Sequence, residues 1–460
     1  MTLDEYIDSI KEKRIAVIGI GVSNSPLVEL LLRHSCHVTA CDRHSLAEMG
    51  EEGQLLESLG AEFHLNEDYL EGLDQDIIFR TPGLMPFEKH LEAAKAGGSV
   101  ITSEMEVFFR LCPCRTIAVT GSDGKTTTTT IISELLKAAG YTVHLGGNIG
   151  HPLLCDVPDM AETDIAVLEL SSFQLHSMEC RPNVAVITNI SPNHLDKHKD
   201  YQDYIDAKRN IFLEQGAEDR LVLNLDDGQS DYYRSFAKGQ VSYFSDRSRL
   251  TDGVMCENGV IYRVQAGERR EIMRADDIRL PGEHNLLNYM AAFEAVSGLV
   301  GDEICKEVAM SFQGVEHRLE HVRTLRGVEY INDSIGTSPT RTIAGLRALR
   351  TKPIVIAGGY DKKIPFDTLG DELCKLAKRV YLTGATAEKI DEAIKGSAYF
   401  PESGMEVYII NDFKETVLAA SASAESGDIV LLSPACAAFD KFKDFAQRGR
   451  VFKQIVMELE

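Results

Sequence analysis

Residues 120–127, Thr-Gly-Ser-Asp-Gly-Lys-Thr-Thr, stand between an apolar, strand-like run and a segment of helical character. Gly121 and Gly124 let backbone N–H groups approach a phosphate closely, and the N-terminus of the following helix adds partial positive charge. Lys125 offers a point charge, and the hydroxyl of Thr126 can reach a magnesium ion. The segment predicts a phosphate-binding loop for ATP, of a short kind because only two residues separate the glycines. A glycine turn with an exposed lysine is the simpler alternative.

Two more candidate residues follow the apolar runs at 164–169 and 184–190. Glu169 closes the first run, and His194 comes shortly after the second. Parallel strands deliver their C-terminal residues to one edge of a sheet, so both side chains are expected beside the phosphate loop. Magnesium takes hard carboxylate oxygens together with phosphates and waters. Without that context, Glu169 is an ordinary turn residue and His194 an ordinary capping or turn residue.

Three further polar residues lie in helical stretches. Lys208 would ordinarily be a solvated surface lysine, and its helical spacing alone does not assign it a function. Asn285 and Asn288 are three residues apart and share one helix face. Asn285 could equally be the N-cap of that helix.

The last third of the chain also places polar residues after apolar runs. Asp333 follows one run, Thr337 lies in the next loop, and Lys362 lies in a loop that begins with two glycines. An acidic small substrate could be held between such a lysine and a helix N-terminus. A solvated turn is the alternative interpretation of that lysine.

Composition sets the broad class. A chain of 460 residues is expected to form about three domains, because single cores rarely exceed about 250–300 residues. The net charge of -23 disfavours binding to nucleic acid and to anionic membranes. No apolar run approaches the length of about 18 residues that a membrane span needs, which predicts a cytoplasmic protein. The ten cysteines are scattered and are interpreted as reduced thiols.

Strand-like runs alternate with helical patterns, which predicts an α/β protein with mostly parallel sheets. The first block, 1–113, opens with a Rossmann-like βαβ unit, in which an acid, Asp42, ends the second strand. Asn24 stands where a dinucleotide-binding loop needs its third glycine, so a nicotinamide dehydrogenase is disfavoured.

The second block, 114–314, begins with the phosphate loop and predicts a P-loop ATPase-like central domain. Between about 220 and 280 its pattern changes to short strands, with a hairpin at Asn258-Gly259, so an added β-rich section is expected. The third block, 315–460, shows five more strand-like runs and predicts a second Rossmann-like domain.

These motifs resemble, in the same order, those of the Mur ligases, ATP-dependent enzymes that form amide bonds in peptidoglycan precursor synthesis. The resemblance covers essentially the whole chain. It rests on the short phosphate loop, the glycine-rich run at 146–150, Glu-Leu-Ser-Ser-Phe-Gln at 169–174, the segment 189–196, Leu-Pro-Gly-Glu-His-Asn at 280–285 and His-Arg at 317–318.

The resemblance implies a first domain for the UDP portion, a middle domain for ATP and a last domain for the incoming amino acid. It implies two magnesium sites, with Thr126 and Glu169 at one, and His194 and Lys208 at the other. Lys208 matches a lysine that the family carbamylates, which turns a cation into an anionic oxygen ligand. The implied catalytic residues are Lys125, His194 and Lys208.

The remaining implied contacts follow the family's motifs. Those to ATP are Gly121, Ser122, Asp123, Gly124, Lys125, Thr126, Thr127, Asn285, Asn288, Arg318 and Asp333. Those to the other substrates are Asp42 and Arg43 at the uridine diphosphate, Asn148, Ser171 and Gln174 along the muramoyl-peptide path, and Thr337, Lys362 and Phe445 around the amino acid.

Leu-Ser-Ser-Phe-Gln at 170–174 and the segment 432–442, which leads to Arg448-Gly449, are similar to the branch that adds D-glutamate. This implies joining of D-glutamate to UDP-N-acetylmuramoyl-L-alanine through an acyl phosphate, by a cytoplasmic monomer that serves cell-wall growth, cell shape and cell division. Ile335 and Ala438 depart from that branch's usual lysine and hydroxyl residue. Alternatives are a ligase for another amino acid, a folate polyglutamate synthetase, or a nucleotide-dependent switch without ligation.

Overall fold

The structure is a computed structural model that describes residues 1–21, 24–194, 197–280, 282–349, 351–361 and 364–460. The chain separates into two compact units, Met1–Phe312 and Gln313–Glu460. Each unit is an α/β structure built on parallel strands, and the first contains two sheets. The predicted α/β class with Rossmann-like sheets is confirmed, while the boundary near residue 113 within the first unit stays a prediction.

The first sheet of the first unit has five parallel strands in the order β3-β2-β1-β4-β5. Its central strand is buried after its first residue, because a sheet covered on both faces needs apolar side chains on both. The strands are β1 (Arg14–Ile18), β2 (His37–Asp42), β3 (Glu62–Leu65), β4 (Ile77–Phe79) and β5 (Val100–Thr102), and the helices are α1 (Leu3–Ile10), α2 (Ser25–Arg33), α3 (Leu46–Ser58), α4 (Lys89–Ala96) and α5 (Glu104–Leu111).

Asn24 explains why the loop after β1 departs from the dinucleotide pattern. Its side chain is buried, and its Nδ2 donates to the carbonyl oxygen of Ile18 at 2.9 Å. A glycine at this position could not make that bond. The side chain therefore closes the end of β1 onto the start of α2.

The second sheet of the first unit has nine strands in the order β14-β13-β12-β11-β10-β9-β6-β8-β7. In the described part of the chain, the seven strands from β7 to β12 in this order are parallel, and the pairings of β12 with β13 and of β13 with β14 are antiparallel. The strands are β6 (Arg115–Thr120), β7 (Val143–Gly147), β8 (Ile165–Glu169), β9 (Val184–Ile187), β10 (Arg220–Asn224), β11 (Gln240–Ser245), β12 (Gly253–Glu257), β13 (Val260–Gln265) and β14 (Glu268–Arg274).

The helices of this sheet cover both faces. Ile117 and Val119 of β6 pack in one apolar cluster with α6 and α10, and Ala118 between them packs in the cluster on the other face. This alternation is that of a parallel strand buried on both sides. The helices are α6 (Lys125–Ala138), α7 (Ser172–Leu175), α8 (Tyr201–Arg209), α9 (Ser230–Arg234), α10 (Glu283–Ala295) and α11 (Asp302–Ser311), with short 3-10 helices at Leu154–Asp159 and Ala275–Asp277.

The β-rich section predicted between 220 and 280 is present and continues the same sheet. Its hairpin joins β12 to β13 through Asn258 and Gly259, which have φ values of 53° and 74°. Two left-handed residues in a two-residue loop match the right-handed twist of the strands, which is why Asn-Gly is favoured there.

The described residues of the second unit form six strands in the order β15-β16-β20-β17-β18-β19, and among these only β15 is antiparallel. The strands are β15 (Glu320–Leu325), β16 (Val328–Asn332), β17 (Ile354–Ala357), β18 (Arg379–Leu382), β19 (Glu406–Ile409) and β20 (Ile429–Leu432), and the helices are α12 (Pro339–Ala348), α13 (Asp367–Leu376), α14 (Ala387–Gly396), α15 (Phe400–Ser403), α16 (Phe413–Ala422) and α17 (Phe445–Glu458). Among the described residues, no helix is both long enough and apolar enough to cross a bilayer.

Candidate active site

The ends of three neighbouring strands bring the predicted residues of the first unit together. β6 lies between β8 and β9, and all three run in the same direction. The phosphate loop follows β6, Glu169 is the last residue of β8, and the loop that carries His194 follows β9. The expected meeting of these chain segments at one sheet edge is confirmed.

The phosphate loop is held from outside by the segment after β9. Asn189 accepts from the backbone N–H of Asp123 and donates to its carbonyl oxygen, both at 3.0 Å. Ser122 is buried, and its hydroxyl donates to the carbonyl of Ser191 at 2.9 Å. Lys125 bends back so that its Nζ donates to the carbonyls of Gly121 and Ser122, at 3.0 and 2.9 Å. The ammonium therefore lies over the loop, where a bound phosphate would meet it.

Both loop glycines are required by their surroundings. Gly121 has a φ of 151°, and a Cβ on it would overlap the hydroxyl of Thr188. Gly124 has a φ of 79°, and a Cβ on it would overlap Oδ1 of Asn288. The loop thus approaches its neighbours too closely for any side chain, while it leaves the start of α6 open to an anion.

We expect Gly124→Ala to weaken nucleotide binding by at least about 10-fold, because the new methyl group displaces Asn288 from the loop. The left-handed backbone adds a stability cost of about 1–2 kcal/mol. Gly140→Ala is the matched control, since Gly140 also has a positive φ, 90°, but a methyl group added there would meet no neighbour within 4 Å. Calorimetric titration with ADP and Mg²⁺ and urea unfolding measure the two effects. Equal loss of ADP affinity in both variants would contradict this assignment.

Glu169 has one carboxylate oxygen engaged and one unused. Its Oε1 accepts from Nδ2 of Asn148 at 2.7 Å. Its Oε2 is buried and has no hydrogen-bond partner among the described residues. A buried carboxylate oxygen without a partner is costly, and a divalent cation is the kind of ligand that would satisfy it. The donor set here, a carboxylate beside a phosphate loop, fits Mg²⁺.

Lys208 is buried rather than solvated, with 1 % of its surface exposed. Its Nζ donates to the carbonyl of Gly121 at 2.7 Å and to the hydroxyl of Thr120 at 3.3 Å, and it lies 4.7 Å from the ring centre of Tyr204. Burial, followed by repulsion from Lys125, holds the pKa of Lys208 well below its usual value. A lysine in this position favours the neutral amine, which is the form that reacts with carbon dioxide.

His194 lies in the loop after β9 with an exposed side chain and a φ of 54°. Its ring meets the edge of Phe173 at 5.0 Å between ring centres. Phe173 belongs to α7, which begins shortly after Glu169. The imidazole of His194 therefore lies near the segment that carries Glu169, on the side that faces solvent.

Asn288 and Asn285 lie at the start of α10, whose N-cap is Gly282. The alternative that Asn285 is the N-cap is therefore wrong. Thr128 of α6 donates to Oδ1 of Asn288 at 3.3 Å, and both asparagines are buried. Asn288 thus touches the helix that follows the phosphate loop, while Nδ2 of Asn288 donates to Oδ1 of Asn285 at 3.4 Å.

Asp42 and Arg43 lie at the end of β2 in the first sheet. Asp42 is buried, and its Oδ2 accepts from the backbone N–H of Ile20 at 2.7 Å. Its Oδ1 accepts from the backbone N–H of His44 at 2.9 Å. Arg43 is exposed. The carboxylate therefore shapes the two strand-end turns, and a uridine diphosphate contact at these residues stays a prediction.

Ser171 and Gln174 form a reciprocal cap on the short helix α7. Gln174 N–H donates to Oγ of Ser171 at 3.2 Å, and Oε1 of Gln174 accepts from the N–H of Ser171 at 2.9 Å. Gln174 also lines a pocket between the strand ends of the two sheets of this unit. The other lining residues are Asn24, Arg80, Pro82, Ser103, Glu104, Met105, Gly147 and Pro152.

Arg80 and Glu104 are buried charged groups in that pocket. Arg80 donates to the carbonyl of Phe173 and the hydroxyl of Ser177, both at 3.0 Å, so the end of β4 is tied to α7. Burial lowers the pKa of Arg80 to about 10. Glu104 accepts from the N–H of Leu154 at 2.8 Å, and burial raises the pKa of its carboxyl to about 7.

We expect the stability difference between Glu104→Gln and the wild type to depend on pH. The folded pKa of Glu104, about 7, lies above its ordinary value of 4.5, so the folded protein binds a proton in this window that the unfolded chain does not. The contribution of Glu104 to the free energy of unfolding of the wild type therefore falls by about 1–3 kcal/mol as pH rises from 4.5 to 7. The variant should gain relative stability by that amount between pH 4.5 and 8, measured by urea unfolding. If the difference in free energy of unfolding between the variant and the wild type were the same at pH 4.5 and pH 8, the argument that burial raises this pKa would be contradicted.

In the second unit, Asp333 follows β16 and is buried. Its Oδ2 accepts from Oγ of Ser433 at 2.7 Å, and its Oδ1 accepts from the N–H of Leu319 at 3.2 Å. Burial raises the pKa of Asp333 to about 6. Arg318 beside it is exposed, and Thr337 lies in the following turn. Nucleotide contacts at Arg318 and Asp333 and an amino-acid contact at Thr337 stay predictions.

Phe445 begins α17 with a partly exposed ring, and Ser334 donates to its carbonyl at 2.7 Å. Ile335 is half-buried, and Ala438 is buried, so a hydroxyl at 438 would lie in the loop interior. Lys362, the predicted cation for the amino acid, lies outside the described residues.

One buried residue in each unit makes hydrogen bonds near the candidate residues of that unit but was given no role from the sequence. Arg448 is buried, and its guanidinium donates to backbone carbonyls of Ser334, Cys436 and Ala437 at 3.0–3.1 Å. Tyr204 meets the hydroxyl of Ser122 at 2.9 Å. The residue type gives no signal for such roles, because the bonds of Arg448 to Ser334 and of Tyr204 to Ser122 join residues 114 and 82 positions apart.

Comparison with known families gives two matches. The model of the Mur ligase middle domain matches residues 119–296. The model described as the Mur ligase glutamate ligase domain matches residues 317–436.

Two curated relatives are similar over the full length, and both are named UDP-N-acetylmuramoylalanine–D-glutamate ligase. The one from Acetivibrio thermocellus is 46% identical, and the alignment covers 100% of this chain and 99% of the relative. The one from Ruminiclostridium cellulolyticum is 47% identical with the same coverage.

Solved structures show the same fold at low sequence identity. UDP-N-acetylmuramate-alanine ligase MurC from Thermotoga maritima has a TM-score of 0.57 at 19% identity, and the match covers 97% of this chain and 99% of that one. MurF ligase from Thermotoga maritima, in complex with ADP, has a TM-score of 0.51 at 17% identity, with coverage of 97% and 96%.

Proposed function

Because the chain belongs to the Mur ligase family, we propose that it joins D-glutamate to UDP-N-acetylmuramoyl-L-alanine, with conversion of ATP to ADP and phosphate. The observation that carries the ATP chemistry is the meeting of Lys125, the unused oxygen of Glu169 and the buried amine of Lys208 around one phosphate loop. The choice of D-glutamate rests on the relatives that carry that name at 46% and 47% identity.

Lys125 and the N–H groups at the start of α6 would hold the β- and γ-phosphates of ATP. The loop offers them without a side chain at Gly121 or Gly124, so the phosphates can approach the backbone closely. Asn288, which lies against Gly124 and is bonded to Thr128 of α6, would contact the nucleotide on this side of the loop. Positioning and electrostatic stabilisation then lower the barrier to phosphoryl transfer.

Thr126 and Glu169 would hold one Mg²⁺, and His194 together with Lys208 would hold a second. Bound Mg²⁺ would neutralise charge on the transferring phosphoryl group and on the acceptor carboxylate. An amine is a poor magnesium ligand, so we propose that Lys208 carries a carbamate. Its low pKa favours the required neutral amine, and its bond to the carbonyl of Gly121 keeps it beside the loop.

The acceptor is the alanyl carboxylate, which is a poor electrophile because its charge is delocalised. Attack of a carboxylate oxygen on the γ-phosphorus of ATP forms an acyl phosphate and releases ADP. The amine of D-glutamate then attacks the acyl carbon, and inorganic phosphate leaves. Neither step uses a nucleophile from the protein, so the residues act by binding, orientation and charge.

Further parts of the proposal rest on the family resemblance. The domains would be 1–113 for the UDP portion, 114–314 for ATP and 315–460 for the amino acid. Asp42, Arg43, Asn148, Ser171 and Gln174 would contact the UDP-muramoyl substrate. Thr337, Lys362 and Phe445 would contact D-glutamate. We also propose that the protein acts as a monomer in the cytoplasm.

The test is the formation of ADP by the purified protein with UDP-N-acetylmuramoyl-L-alanine and one amino acid at a time. The proposal predicts ADP and a new amide with D-glutamate, and no more than background with L-glutamate, L-lysine or meso-diaminopimelate. ADP formation with another amino acid would assign a different ligase. Formation with L-glutamate and tetrahydrofolate instead would assign a folate polyglutamate synthetase.

A further inference from the structure

Ser172, His198 and Asp203 form a hydrogen-bonded chain beside the phosphate loop. Nε2 of His198 lies 2.9 Å from Oγ of Ser172, and Nδ1 of His198 lies 2.9 Å from Oδ2 of Asp203. His198 is buried, with 4 % of its surface exposed. The other carboxylate oxygen of Asp203 lies 2.9 Å from Nε2 of His176.

The positions of the protons on Ser172, His198 and Asp203 follow from the hydrogen-bond partners of these side chains. Burial lowers the pKa of His198, which favours the neutral ring. Burial raises the pKa of Asp203, but hydrogen bonds from His198 and His176 outweigh it and leave that pKa below its usual value. An ionised carboxylate only accepts, so Nδ1 of His198 carries the proton, and Nε2 accepts from the hydroxyl of Ser172.

Ser172 and Asp203, the two outer residues of this hydrogen-bonded set, each lie close in sequence to a proposed magnesium ligand. Ser172 begins α7, three residues after Glu169. Asp203 lies in α8, the helix that carries Lys208. The backbone N–H of His198 donates to the carbonyl of His194 at 3.1 Å. His198 thus joins the three segments that carry Glu169, His194 and Lys208, two of them through its ring and the third through its backbone.

Aromatic contacts tie the same imidazole to the phosphate loop. Its ring stacks on Phe173 with 5.5 Å between ring centres, and Phe173 in turn contacts His194. Its ring also meets Tyr204 at 5.2 Å. The hydroxyl of Tyr204 bonds Ser122 in the phosphate loop, and its ring lies under Nζ of Lys208. His198 is therefore at the centre of the contacts that fix these segments relative to one another.

We propose that His198 is a positioning residue for the ligase reaction, which holds the segments of Glu169, His194 and Lys208 in the arrangement that binds Mg²⁺ and nucleotide. It contacts neither nucleotide nor acceptor in this role and acts through Ser172, Asp203 and Phe173. This inference rests on the proposed function of the site. Partners behind a metal ligand typically change metal affinity or activity by about 10- to 100-fold.

Three substitutions at His198 test its hydrogen bonds to Ser172 and Asp203 separately. His198→Ala removes both of them. His198→Asn keeps an N–H near the position of Nδ1 for Asp203, and His198→Gln keeps an acceptor near the position of Nε2 for Ser172. His176→Asn is the matched control, because it alters the other bond to the same carboxylate and leaves the path to Ser172 intact.

For His198→Ala we expect a fall in kcat of about 10- to 100-fold and a rise of about 10-fold or more in the Mg²⁺ concentration for half-maximal rate. KM for D-glutamate should stay within about 2-fold, since the second unit carries the proposed amino-acid contacts. His198→Asn and His198→Gln should each recover part of both losses, and His176→Asn should stay within about 3-fold of the wild type. Assays run well below the unfolding temperature of each variant.

The readout that does not depend on turnover is the rise in unfolding temperature on addition of ADP and Mg²⁺. We expect that rise to be at least halved in His198→Ala and unchanged in His176→Asn. A folded His198→Ala with normal kcat, normal Mg²⁺ dependence and a normal ADP-induced rise would overturn the inference.

The two proposals fail in different ways. If the wild type forms no ADP with any pair of acceptor and amino acid, the proposed function fails, and the ADP-induced rise still tests the role of His198 in nucleotide binding. If the wild type ligates D-glutamate and the variants match it, only the role of His198 fails.

Discussion

Replacement of Lys125 by alanine is expected to lower the rate of ADP formation by about 1,000-fold or more, while the protein stays folded. The ammonium lies over the phosphate loop, bonded to the carbonyls of Gly121 and Ser122. It would be the fixed charge nearest the transferring phosphoryl group, and loss of one such group typically costs a factor of about 100 to 1,000 or more. Initial rates of ADP formation at saturating substrates measure the effect.

Lys137→Ala is the control for this substitution, since Lys137 lies at the other end of the same helix and pairs with Glu134 at the surface. Its removal should leave the rate within about 2-fold of the wild type and change stability by less than about 1 kcal/mol. Turnover by Lys125→Ala close to that of the control would contradict the proposed contact with the phosphates.

Loss of Lys208 should be nearly as severe, with a fall in kcat of about 100-fold or more for Lys208→Ala. The amine is buried against the phosphate loop and has a pKa well below its usual value, so its expected role is as a carbamate that binds Mg²⁺. Removal of the side chain deletes that anionic oxygen. Acetate or formate should restore part of the rate, because a small carboxylate can occupy the space and supply the missing oxygen.

The same acids should not restore Lys125→Ala, which needs a cation, so the two variants control for each other. Incubation of the wild type with ¹³C-labelled bicarbonate should give a carbamate carbon signal that is absent from Lys208→Ala. A fully active Lys208→Ala, or a wild type whose rate does not depend on dissolved carbon dioxide, would reject the carbamate.

Much of the fold could be predicted because its strands are short apolar runs that end at turn-forming residues such as Gly, Asp, Ser or Pro. The ranges of β2 (His37–Asp42), β16 (Val328–Asn332) and β20 (Ile429–Leu432) follow directly from that pattern. The position of the added strands in the sheet could not be predicted in this way. Whether they extend an existing sheet or form a new one depends on pairing between β11 and β12, which no local pattern reports.

The residues of the site also divide into those that a local sequence pattern locates and those whose role only the tertiary structure shows. Glu169 could be located because it ends a buried strand next to a phosphate loop, and the meeting of strand ends follows from parallel pairing. Lys208 in its helix resembles a surface lysine, and only the fold shows its burial. Arg448 was noted only as part of a motif and Tyr204 was not singled out, and neither could be given a structural role, because hydrogen bonds of theirs join residues 82 and 114 positions apart. Contacts of that length are fixed by the tertiary structure.

The central claim is that this site activates the alanyl carboxylate as an acyl phosphate. The most direct test uses UDP-N-acetylmuramoyl-L-alanine with ¹⁸O at both oxygens of that carboxylate, followed by mass spectrometry of the inorganic phosphate released during ligation to D-glutamate. The account predicts one ¹⁸O in each phosphate, since the attacking oxygen departs with phosphorus when the amine displaces it. Amide formation with unlabelled phosphate would contradict the account.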